Sequence, residues 1–483
     1  MSPMLACACH QSQHGLNQSS EAACSSMHSI QSRYRRTAKV KFQHNPEILE
    51  PFMSPTTTPA AANDPKSTQD KNPAVVLLAD SFDASGIAAL EQQGCKVHVD
   101  PSLEGEQLVA AIKEHDPQIL VVRSTKVPAD AISAGQMLSL IVRAGAGYDT
   151  IDINAASAQG ISVANCPGMN SLAVAELAWG LILSCDRRIP DQVADLREGN
   201  WKKKEYAKAA GLYGRTLGIV GLGRIGLAIA TRGQAFGMKV IAWSKDLTVE
   251  SAQELGIDHC EDVTNLARMS DVVTINVSAN PETRHLVNES FCKALRPGAI
   301  LVNTTRGSVV DQDALTKAIR EKNLRVGMDV FANEPSAGDK NFDDPIVQEP
   351  GVYGTHHVGA STSQAQEAIA AETVRVIKTW LDTGEVANCV NLATRTAASE
   401  LLSIRHLNQP GVLAHVFEVL GRGGCNVEEM ENVIYAEAIA ACARIQIAGS
   451  IQNQDLDEIR SHQHVISVTR SPIKHHEQTG ERS

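Results

Sequence analysis

The chain has 483 residues, which is too long for a single hydrophobic core, so we expect two or three folded domains. Its formal net charge of −11 argues against nucleic acid or an anionic membrane surface as a main partner, and no apolar run is long enough to cross a bilayer. The 11 cysteines have no paired spacing that would bind zinc, so we expect no metal site and mostly free thiols.

Residues 1–72 differ in composition from the rest of the chain. They are rich in Ser, Gln, His and Thr, carry several basic residues between Arg33 and Lys41, and continue into a Pro- and Thr-rich stretch. This composition is typical of an organelle-targeting segment with a linker, and a plain disordered tail also explains it. We therefore expect a disordered N-terminal extension, with the plastid (chloroplast) stroma as the location and the mitochondrion or cytoplasm as alternatives.

From residue 73 onward, short apolar runs predict buried strands that are separated by helices. The runs lie at residues 73–78, 119–122, 140–142, 217–220, 239–242, 271–275 and 300–302. Buried strands that alternate with helices are typical of a doubly wound parallel sheet, and there are enough strands here for two such sheets. We therefore predict an α/β fold with two Rossmann-like domains.

After Gly384 the pattern changes to that of a small α+β domain, which we place at residues 398–472. Residues 401–405 alternate like a half-buried strand, and residues 439–447 form a second strand-like run. Between them, residues 412–420 have the apolar periodicity of a helix that ends at Gly421.

The segment Gly-Leu-Gly-Arg-Ile-Gly at residues 221–226 directly follows a predicted strand and begins a predicted helix. In this context the first glycine makes a tight turn, the second lets the backbone approach a pyrophosphate, and the third lets the helix pack on the strand. The N-terminus of the helix then faces the phosphates. The segment therefore predicts a dinucleotide site that includes Gly221, Gly223, Arg224, Ile225 and Gly226.

The end of the next strand bears on the choice of cofactor. An acidic residue that binds the adenosine ribose is expected near residue 244, but the chain has Ser244 and Lys245 there. Two donors without a carboxylate would suit a 2′-phosphate, which favours use of NADP beside NAD. The alternative is that Lys245 is merely solvated and that Asp246 fills the acidic role.

Three later segments place polar residues where strands end, the edge at which open α/β sheets bind ligands. Residues 302–307 contain Thr304 and Arg306, residues 327–335 contain Asp329 and Glu334, and residues 355–362 contain His357 and Gly359. Taken singly, each could be an ordinary surface or loop residue. Their order behind a dinucleotide turn makes a shared catalytic role the better interpretation.

Together with the fingerprint, these segments resemble the D-isomer-specific 2-hydroxyacid dehydrogenase family from about residue 74 to residue 393. The resemblance implies catalytic roles for Arg306, Glu334 and His357, and places Thr304, Asp329 and Gly359 beside the cofactor. His357 would take the proton of a C2 hydroxyl while Glu334 holds the imidazole, and Arg306 would bind the carboxylate. The resemblance also implies a substrate-binding domain at residues 73–175 and 360–395, and an NAD(P)-binding domain at residues 176–359.

Motifs in the first domain and just after it are similar to those of the family branch that oxidises 3-phosphoglycerate, the entry to L-serine synthesis. They lie at residues 122–127, 143–147, 170–177 and 187–190. The resemblance implies that the substrate is bound by Arg123, Ser124, Arg143, Gly145 and Gly147. Two alternatives stay open: a glyoxylate or hydroxypyruvate reductase or another D-2-hydroxyacid dehydrogenase, and a nucleotide-sensing protein without turnover.

The C-terminal segment resembles an ACT domain, a module that binds amino acids between paired copies. His406 and Asn408 precede Pro410-Gly411, and Asn426 follows the predicted helix. The resemblance implies that these three residues bind an effector, L-serine, and that the chain forms a homodimer or homotetramer. The alternative is that Asn408 and Asn426 are ordinary turn residues.

Overall fold

The computed structural model describes residues 73–335, 341–393 and 395–473. All of them lie in one compact unit, Lys71–Ser483. The predicted targeting segment, residues 1–72, lies outside the described residues, and its role stays a prediction. Strands and helices are numbered below in chain order.

The first sheet has five parallel strands in the order β2-β1-β3-β4-β5. The strands are β1 (Val75–Leu78), β2 (Lys96–Val99), β3 (Ile119–Val122), β4 (Leu140–Arg143) and β5 (Ser162–Asn165). The helices between them are α1 (Ala84–Gln92), α2 (Gly105–His115), α3 (Ala129–Ile132) and α4 (Ile153–Ala158). Strands β1 and β3 are apolar along their whole length, and β4 is apolar up to Arg143, because helices cover both faces of the sheet.

Helix α5 (Ser171–Arg187) leads from the first domain to the second, and α6 (Ile189–Arg197) and α7 (Lys203–Tyr206) follow it. Ala178 and Ile182 on α5 are buried together with Leu217 in the core of the second domain. The connecting helix is therefore a structural part of the second domain.

The second sheet has seven parallel strands in the order β12-β11-β10-β9-β6-β7-β8. The strands are β6 (Thr216–Val220), β7 (Lys239–Trp243), β8 (Asp258–His259), β9 (Val272–Ile275), β10 (Ile300–Asn303), β11 (Arg325–Met328) and β12 (Val352–Gly354). The helices are α8 (Arg224–Ala235), α9 (Val249–Glu254), α10 (Val263–Met269), α11 (Glu289–Ala294) and α12 (Gln312–Lys322). The sheet order reverses between β6 and β9, which is where such sheets bind ligands.

The long helix α13 (Ser363–Thr383) returns the chain to the first domain. It begins at Thr362, whose hydroxyl accepts a hydrogen bond from the amide of Ala365, and it ends at Gly384 in the left-handed region. Ile369 and Val376 on α13 are buried against Val142 of the first sheet.

The C-terminal domain has four antiparallel strands in the order β14-β15-β13-β16. The strands are β13 (Glu400–Leu407), β14 (Asn426–Ile434), β15 (Ala440–Ala448) and β16 (Val465–Pro472), with helices α14 (Val412–Arg422) and α15 (Asn453–Ser461). The apolar sides of both helices pack on one face of this sheet and enclose residues such as Ile404, Val416 and Ile445. Strand β14 is an edge strand of this sheet: one of its sides pairs with β15, and the other faces solvent.

The predicted fold class is confirmed, with two parallel-sheet α/β domains and an antiparallel α+β domain at the C-terminus. In the part of the chain that the structure describes, no helix is both long enough and apolar enough to cross a membrane.

The core of the second domain can be tested at Leu266, which lies on α10 and is fully buried. Leu266→Ala removes buried methyl groups and leaves a cavity, so we expect the unfolding free energy of this domain to fall by about 2–5 kcal/mol. Urea unfolding followed by tryptophan fluorescence measures the loss. Leu196→Ala, at a residue of α6 that is 57% exposed, is the control. Equal losses in both variants would contradict this placement of the core.

Candidate active site

The dinucleotide turn follows β6, and its three glycines have different surroundings. A Cβ atom on Gly221, whose φ is +94°, would lie 2.8 Å from the backbone of Asn276. A Cβ atom on Gly226 would lie 2.3 Å from the carbonyl oxygen of Gly221. A Cβ atom on Gly223 would have no neighbouring atom of the described structure within 4 Å. The outer two glycines are therefore required by the fold, and the middle one borders open space where a pyrophosphate fits.

A second feature that fits a bound cofactor is Thr304, which follows β10. Its side chain is buried, and its hydroxyl oxygen has no hydrogen-bond partner among the described residues. A buried hydroxyl without a partner is costly unless a ligand or water satisfies it. Together with the open space at Gly223, this hydroxyl makes the residues present compatible with a nicotinamide dinucleotide.

The other residues expected at the cofactor are placed as follows. Ser244 and Lys245 come directly after β7, and the Lys245 amine forms an exposed ion pair with Glu282 at 3.1 Å. The side chain of Arg224, which begins α8, packs against Gly168 of the first domain. Ile225 is partly buried against the core of the second domain.

His357 and Glu334 form a hydrogen-bonded pair after β11 and β12. The Nδ1 atom of His357 lies 2.7 Å from the Oε2 atom of Glu334, and the Oε1 atom of Glu334 accepts a hydrogen bond from the amide of Phe331 at 2.9 Å. Burial by itself would raise the pKa of Glu334, but the bonds from His357 and Phe331 outweigh it, so this pKa lies below its ordinary value. The charged carboxylate therefore orients the imidazole and leaves Nε2 for the substrate.

Asp329 has a structural role in the site, while its expected place beside the nicotinamide stays a prediction. This residue is only 1% exposed, and its carboxylate holds the loop that carries His357. Its Oδ1 atom accepts bonds from the Thr355 hydroxyl and the Val358 amide, and its Oδ2 atom accepts one from the Gly359 amide. The His357 amide donates a hydrogen bond to the backbone carbonyl of Asp329 at 2.8 Å.

These bonds matter because His357 has a φ of +52°, a left-handed conformation that is rare for a residue with a side chain. Gly359 fits beside the same carboxylate, since a Cβ atom there would lie 3.0 Å from the Oδ2 atom of Asp329. Asp329 and Gly359 therefore stabilise the backbone that presents the catalytic imidazole.

Arg306 follows β10 and reaches across the cleft to the first domain. Its Nε and Nη2 atoms donate to the two carboxylate oxygens of Asp149 at 3.1 and 3.0 Å, and its Nη1 atom donates to the carbonyl of Thr305 at 2.8 Å. Gly147 makes room for this guanidinium, because a Cβ atom on Gly147 would lie 2.4 Å from Nη2. The pair joins the two domains beside His357.

Arg123 and Ser124 lie in the loop after β3, where the carboxylate of Asp80 fixes the backbone. Asp80 accepts bonds from the amides of Arg123, Ser124 and Thr125 and from the Ser124 hydroxyl. The guanidinium of Arg123 reaches the Ser361 hydroxyl at 3.4 Å, four residues after His357. The predicted substrate loop therefore lies next to the catalytic loop, and the Ser124 hydroxyl donates to the carboxylate of Asp80 after β1.

Arg143 ends β4 and lies beneath Gly145. A Cβ atom on Gly145 would overlap the Nη1 atom of Arg143 at 1.6 Å, so only glycine fits above this guanidinium. Burial, and then the positive charge of Arg306, lowers the pKa of Arg143 to about 10. The charge of Asp149 opposes that shift in the pKa, and the charge of Arg123 adds to it. The Nε atom of Arg143 is buried without a partner in the described structure.

The three residues expected to bind an effector do not come together in one chain. His406 is 2% exposed, and its ring nitrogens lie 2.8 Å from the carbonyl of Leu407 and 3.2 Å from the side-chain oxygen of Asn432. Asn408 donates to the carbonyl of Ala438, next to the same end of the sheet. Asn426 starts β14 opposite Ala448, at the other end. Within one chain His406 is already hydrogen-bonded and the two asparagines lie at opposite ends of the sheet, so effector binding between paired copies stays a prediction.

The site contains carboxylates that the sequence interpretation missed. Asp80 and Asp149 were not among the expected residues, yet each holds an arginine or its loop in place. A signal was present for Asp80, because it comes just after a buried strand, the edge where such sheets place functional side chains. Asp149 lies in an irregular turn, and its pairing with a residue far along the chain has no local signal.

Comparisons with known proteins agree with this geometry. Residues 179–359 match the family model described as "D-isomer specific 2-hydroxyacid dehydrogenase, NAD binding domain". The chain is 39% identical over 320 residues to D-3-phosphoglycerate dehydrogenase of Methanocaldococcus jannaschii, covering 66% of this chain and 59% of that protein. It is 40% identical over 277 residues to hydroxypyruvate reductase of Thermotoga maritima, covering 57% of this chain and 88% of that protein.

Solved structures with a bound cofactor are also similar. One is NAD+-bound 3-phosphoglycerate dehydrogenase of Entamoeba histolytica, with a TM-score of 0.55, 25% identity, and coverage of 66% of this chain and 99% of that chain. Another is NADPH-dependent glyoxylate/hydroxypyruvate reductase of Sinorhizobium meliloti in complex with NADP and malonate, with a TM-score of 0.59, 28% identity, and coverage of 67% and 100%.

The chain therefore belongs to the D-isomer-specific 2-hydroxyacid dehydrogenase family, whose cofactor is NAD or NADP. It spans 59% of the length of the archaeal phosphoglycerate dehydrogenase that it matches, and a larger share, 88%, of the bacterial hydroxypyruvate reductase.

The different surroundings of the glycines can be tested with two variants. Gly226→Ala places a methyl group against the carbonyl of Gly221, so we expect a lower thermal midpoint even without cofactor. Gly223→Ala meets no protein atom, so its midpoint should not change, but NADH binding should weaken by roughly tenfold, or about 1.4 kcal/mol. Calorimetry and a fluorescence titration measure the two effects. Unchanged NADH affinity in Gly223→Ala would contradict the placement of the pyrophosphate.

Proposed function

We propose that the chain oxidises the C2 hydroxyl of 3-phosphoglycerate to the 2-oxo acid with NAD or NADP, which is the first step of L-serine synthesis. The observation that carries this proposal is the arginine cluster. The positive charges of Arg306 and Arg123 both lower the pKa of Arg143, so the three arginines form one cluster, and Asp149 is bonded directly to Arg306. A cluster of this kind suits a substrate that carries both a carboxylate and a phosphate.

The roles of the chain's own residues follow from the geometry. Arg306 binds the substrate carboxylate and polarises the oxygen at C2. His357, oriented by Glu334 at 2.7 Å, takes the hydroxyl proton on Nε2. Asp329 keeps the His357 loop in place. A bound nicotinamide would supply the hydride acceptor, and the residues at 221–226 and Thr304 would hold it.

The phosphate is assigned to Arg123, supported by Arg143. Arg123 and Arg143 are both half-buried, but the guanidinium of Arg143 is packed under Gly145, whereas the bond from Arg123 to Ser361 is exposed. A planar guanidinium at the open side of the cleft can bind a phosphate with two parallel hydrogen bonds. Arg143 contributes its charge from below.

A second candidate is reduction of glyoxylate or hydroxypyruvate. It is favoured by the 40% identity to a hydroxypyruvate reductase that the chain covers over 88% of its length. A steady-state assay with each substrate separates the two candidates, because glyoxylate and hydroxypyruvate carry no phosphate.

Running that assay with both NAD and NADP also tests the use of NADP, which depends on the ion pair between Lys245 and Glu282. A carboxylate beside Lys245 suits ribose hydroxyls, so the pair has to open to bind a 2′-phosphate.

We also propose that L-serine binds to the C-terminal domain between two copies of the chain. Antiparallel pairing of the edge strand β14 with itself would bring Asn426 of one copy to the level of Ile434 of the other. Ile434 pairs with Ala441, which pairs with His406, so Asn426 would then approach the end of the sheet that carries Asn408. This arrangement would unite the two asparagines that one chain keeps apart. It makes the protein a dimer or a larger oligomer.

The substrate assignment is tested with Arg123→Gln in a steady-state assay. Wild type should prefer 3-phosphoglycerate to D-glycerate, and the variant should raise the KM for 3-phosphoglycerate by roughly 10- to 100-fold, because a bond to a charged group is lost. Its activity with glycerate should change little. Lys126→Gln, an exposed cation of the same loop, is the control. Turnover of glyoxylate or hydroxypyruvate alone would establish the second candidate instead.

Effector binding is tested by calorimetric titration of the full chain with L-serine, with D-serine as the control. We expect heat from L-serine alone, and its loss in Asn426→Ala, because the amide offers both a donor and an acceptor to an amino acid backbone. Sedimentation of the same samples gives the oligomeric state. A chain that stays monomeric, or that binds L-serine equally well without Asn426, would refute the arrangement.

A further inference from the structure

The strongest unassigned feature of the cleft is the carboxylate of Asp149. It is held in the first domain just after Gly147, and it faces an arginine of the second domain. Burial alone would raise the pKa of Asp149, but the hydrogen bonds and charge of Arg306 outweigh this, so the pKa lies below its ordinary value. Asp149 is therefore an anion in the same cleft that has to receive an anionic substrate.

The carboxylate of Asp149 could affect substrate binding in two opposite ways. It could compete with the substrate for Arg306, in which case its removal would tighten substrate binding. It could also orient Arg306 for the substrate, in which case its removal would weaken binding. Which nitrogen atoms of the Arg306 guanidinium bond to Asp149 decides between these two effects on substrate binding.

A guanidinium has five N–H bonds: one on Nε and two on each terminal nitrogen. Asp149 accepts from Nε and from Nη2, which form one edge of the plane, and the carbonyl of Thr305 accepts one bond from Nη1. Among the described residues these are the acceptors of Arg306, so one N–H on Nη1 and one on Nη2 remain. Two N–H groups on adjacent nitrogens are what a carboxylate needs for a two-pronged bond.

We propose that Asp149 is a positioning residue: it holds one edge of the Arg306 guanidinium so that the terminal N–H groups face the substrate carboxylate. The bond also crosses the cleft, so it sets the orientation of Arg306 only when the two domains lie as close as they do here. The proposal rests on the proposed function for the identity of the acid. It goes beyond that function by assigning the orientation of Arg306 to a residue of the other domain.

The test compares Asp149→Asn with wild type by two readouts. The first is the calorimetric affinity of the NADH complex for oxalate, a planar anion that a two-pronged donor can bind without turnover. The second is the KM for the 2-hydroxy acid, measured with the KM for the cofactor. Asp152→Asn is the matched control, because Asp152 lies in the same loop but caps α4 by accepting from the amide of Ala155 at 2.9 Å. Asp149→Glu, which keeps the charge, is the second variant if the first is unstable.

We expect Asp149→Asn to weaken oxalate binding and to raise the KM for the acid by roughly 10- to 100-fold, with the cofactor KM changed by less than about twofold. Asp152→Asn should behave like wild type. In an Arg306→Gln background, Asp149→Asn should change the oxalate affinity and the KM for the acid by less than about threefold more. A residue that acts through Arg306 has no effect once Arg306 is gone.

Three results would overturn the proposal: unchanged or tighter oxalate binding in Asp149→Asn, an equal loss in the Arg306→Gln background, or wild-type protein that binds no oxalate with NADH. Failure of the proposed function is a separate result. Wild type that binds oxalate but turns over no 2-hydroxy acid would reject the reaction, while the oxalate series would still decide the role of Asp149.

Discussion

The buried carboxylate of Asp329 is the interaction on which the geometry of the cleft depends. His357 has to leave the sheet in a left-handed backbone conformation that costs on the order of 1–3 kcal/mol. Asp329 stabilises that conformation with bonds to Thr355, Val358 and Gly359 and through its own carbonyl to His357. A carboxylate removed from water is itself stable only with such partners. The loop and the carboxylate therefore depend on each other, and the imidazole is held in place as a result.

The first domain uses the same arrangement at its own sheet edge. Asp80 follows β1, and its carboxylate accepts hydrogen bonds from the backbone amides of the loop after β3, which carries Arg123. In both domains an acidic side chain at the end of one strand fixes the loop that follows a neighbouring strand. Because all strands in each sheet are parallel, their carboxyl ends meet at one edge, and the two edges face each other across the cleft. Arg306 and Asp149 then connect the edges directly. The charges of the site thus lie on rigid elements of two domains.

Much of this architecture could be predicted from the sequence because it depends on local patterns. Buried strands such as β1, β3 and β6 appear as apolar runs, and the dinucleotide turn has its own glycine spacing. Strands at sheet edges were harder: β2 reads Lys-Val-His-Val, and β14 is mostly polar, because one side of each faces water. Arg306, Glu334 and His357 were found by their order behind the turn. The roles of Asp329 and Asp149 could not be found in this way, since their partners are set by tertiary structure. For the same reason the burial of His406 could not be foreseen, because its partner Asn432 lies on another strand.

We propose that His357 and Arg306 serve the transfer of a hydride from C2 of a phosphorylated 2-hydroxy acid to a nicotinamide. The most direct measurement uses 3-phosphoglycerate that carries deuterium at C2, with NAD and NADP as acceptors and mass spectrometry of the reduced cofactor. The account predicts one deuterium in the reduced nicotinamide and none released to water. Label that appears in water, or no reduced cofactor from the labelled acid, would contradict it.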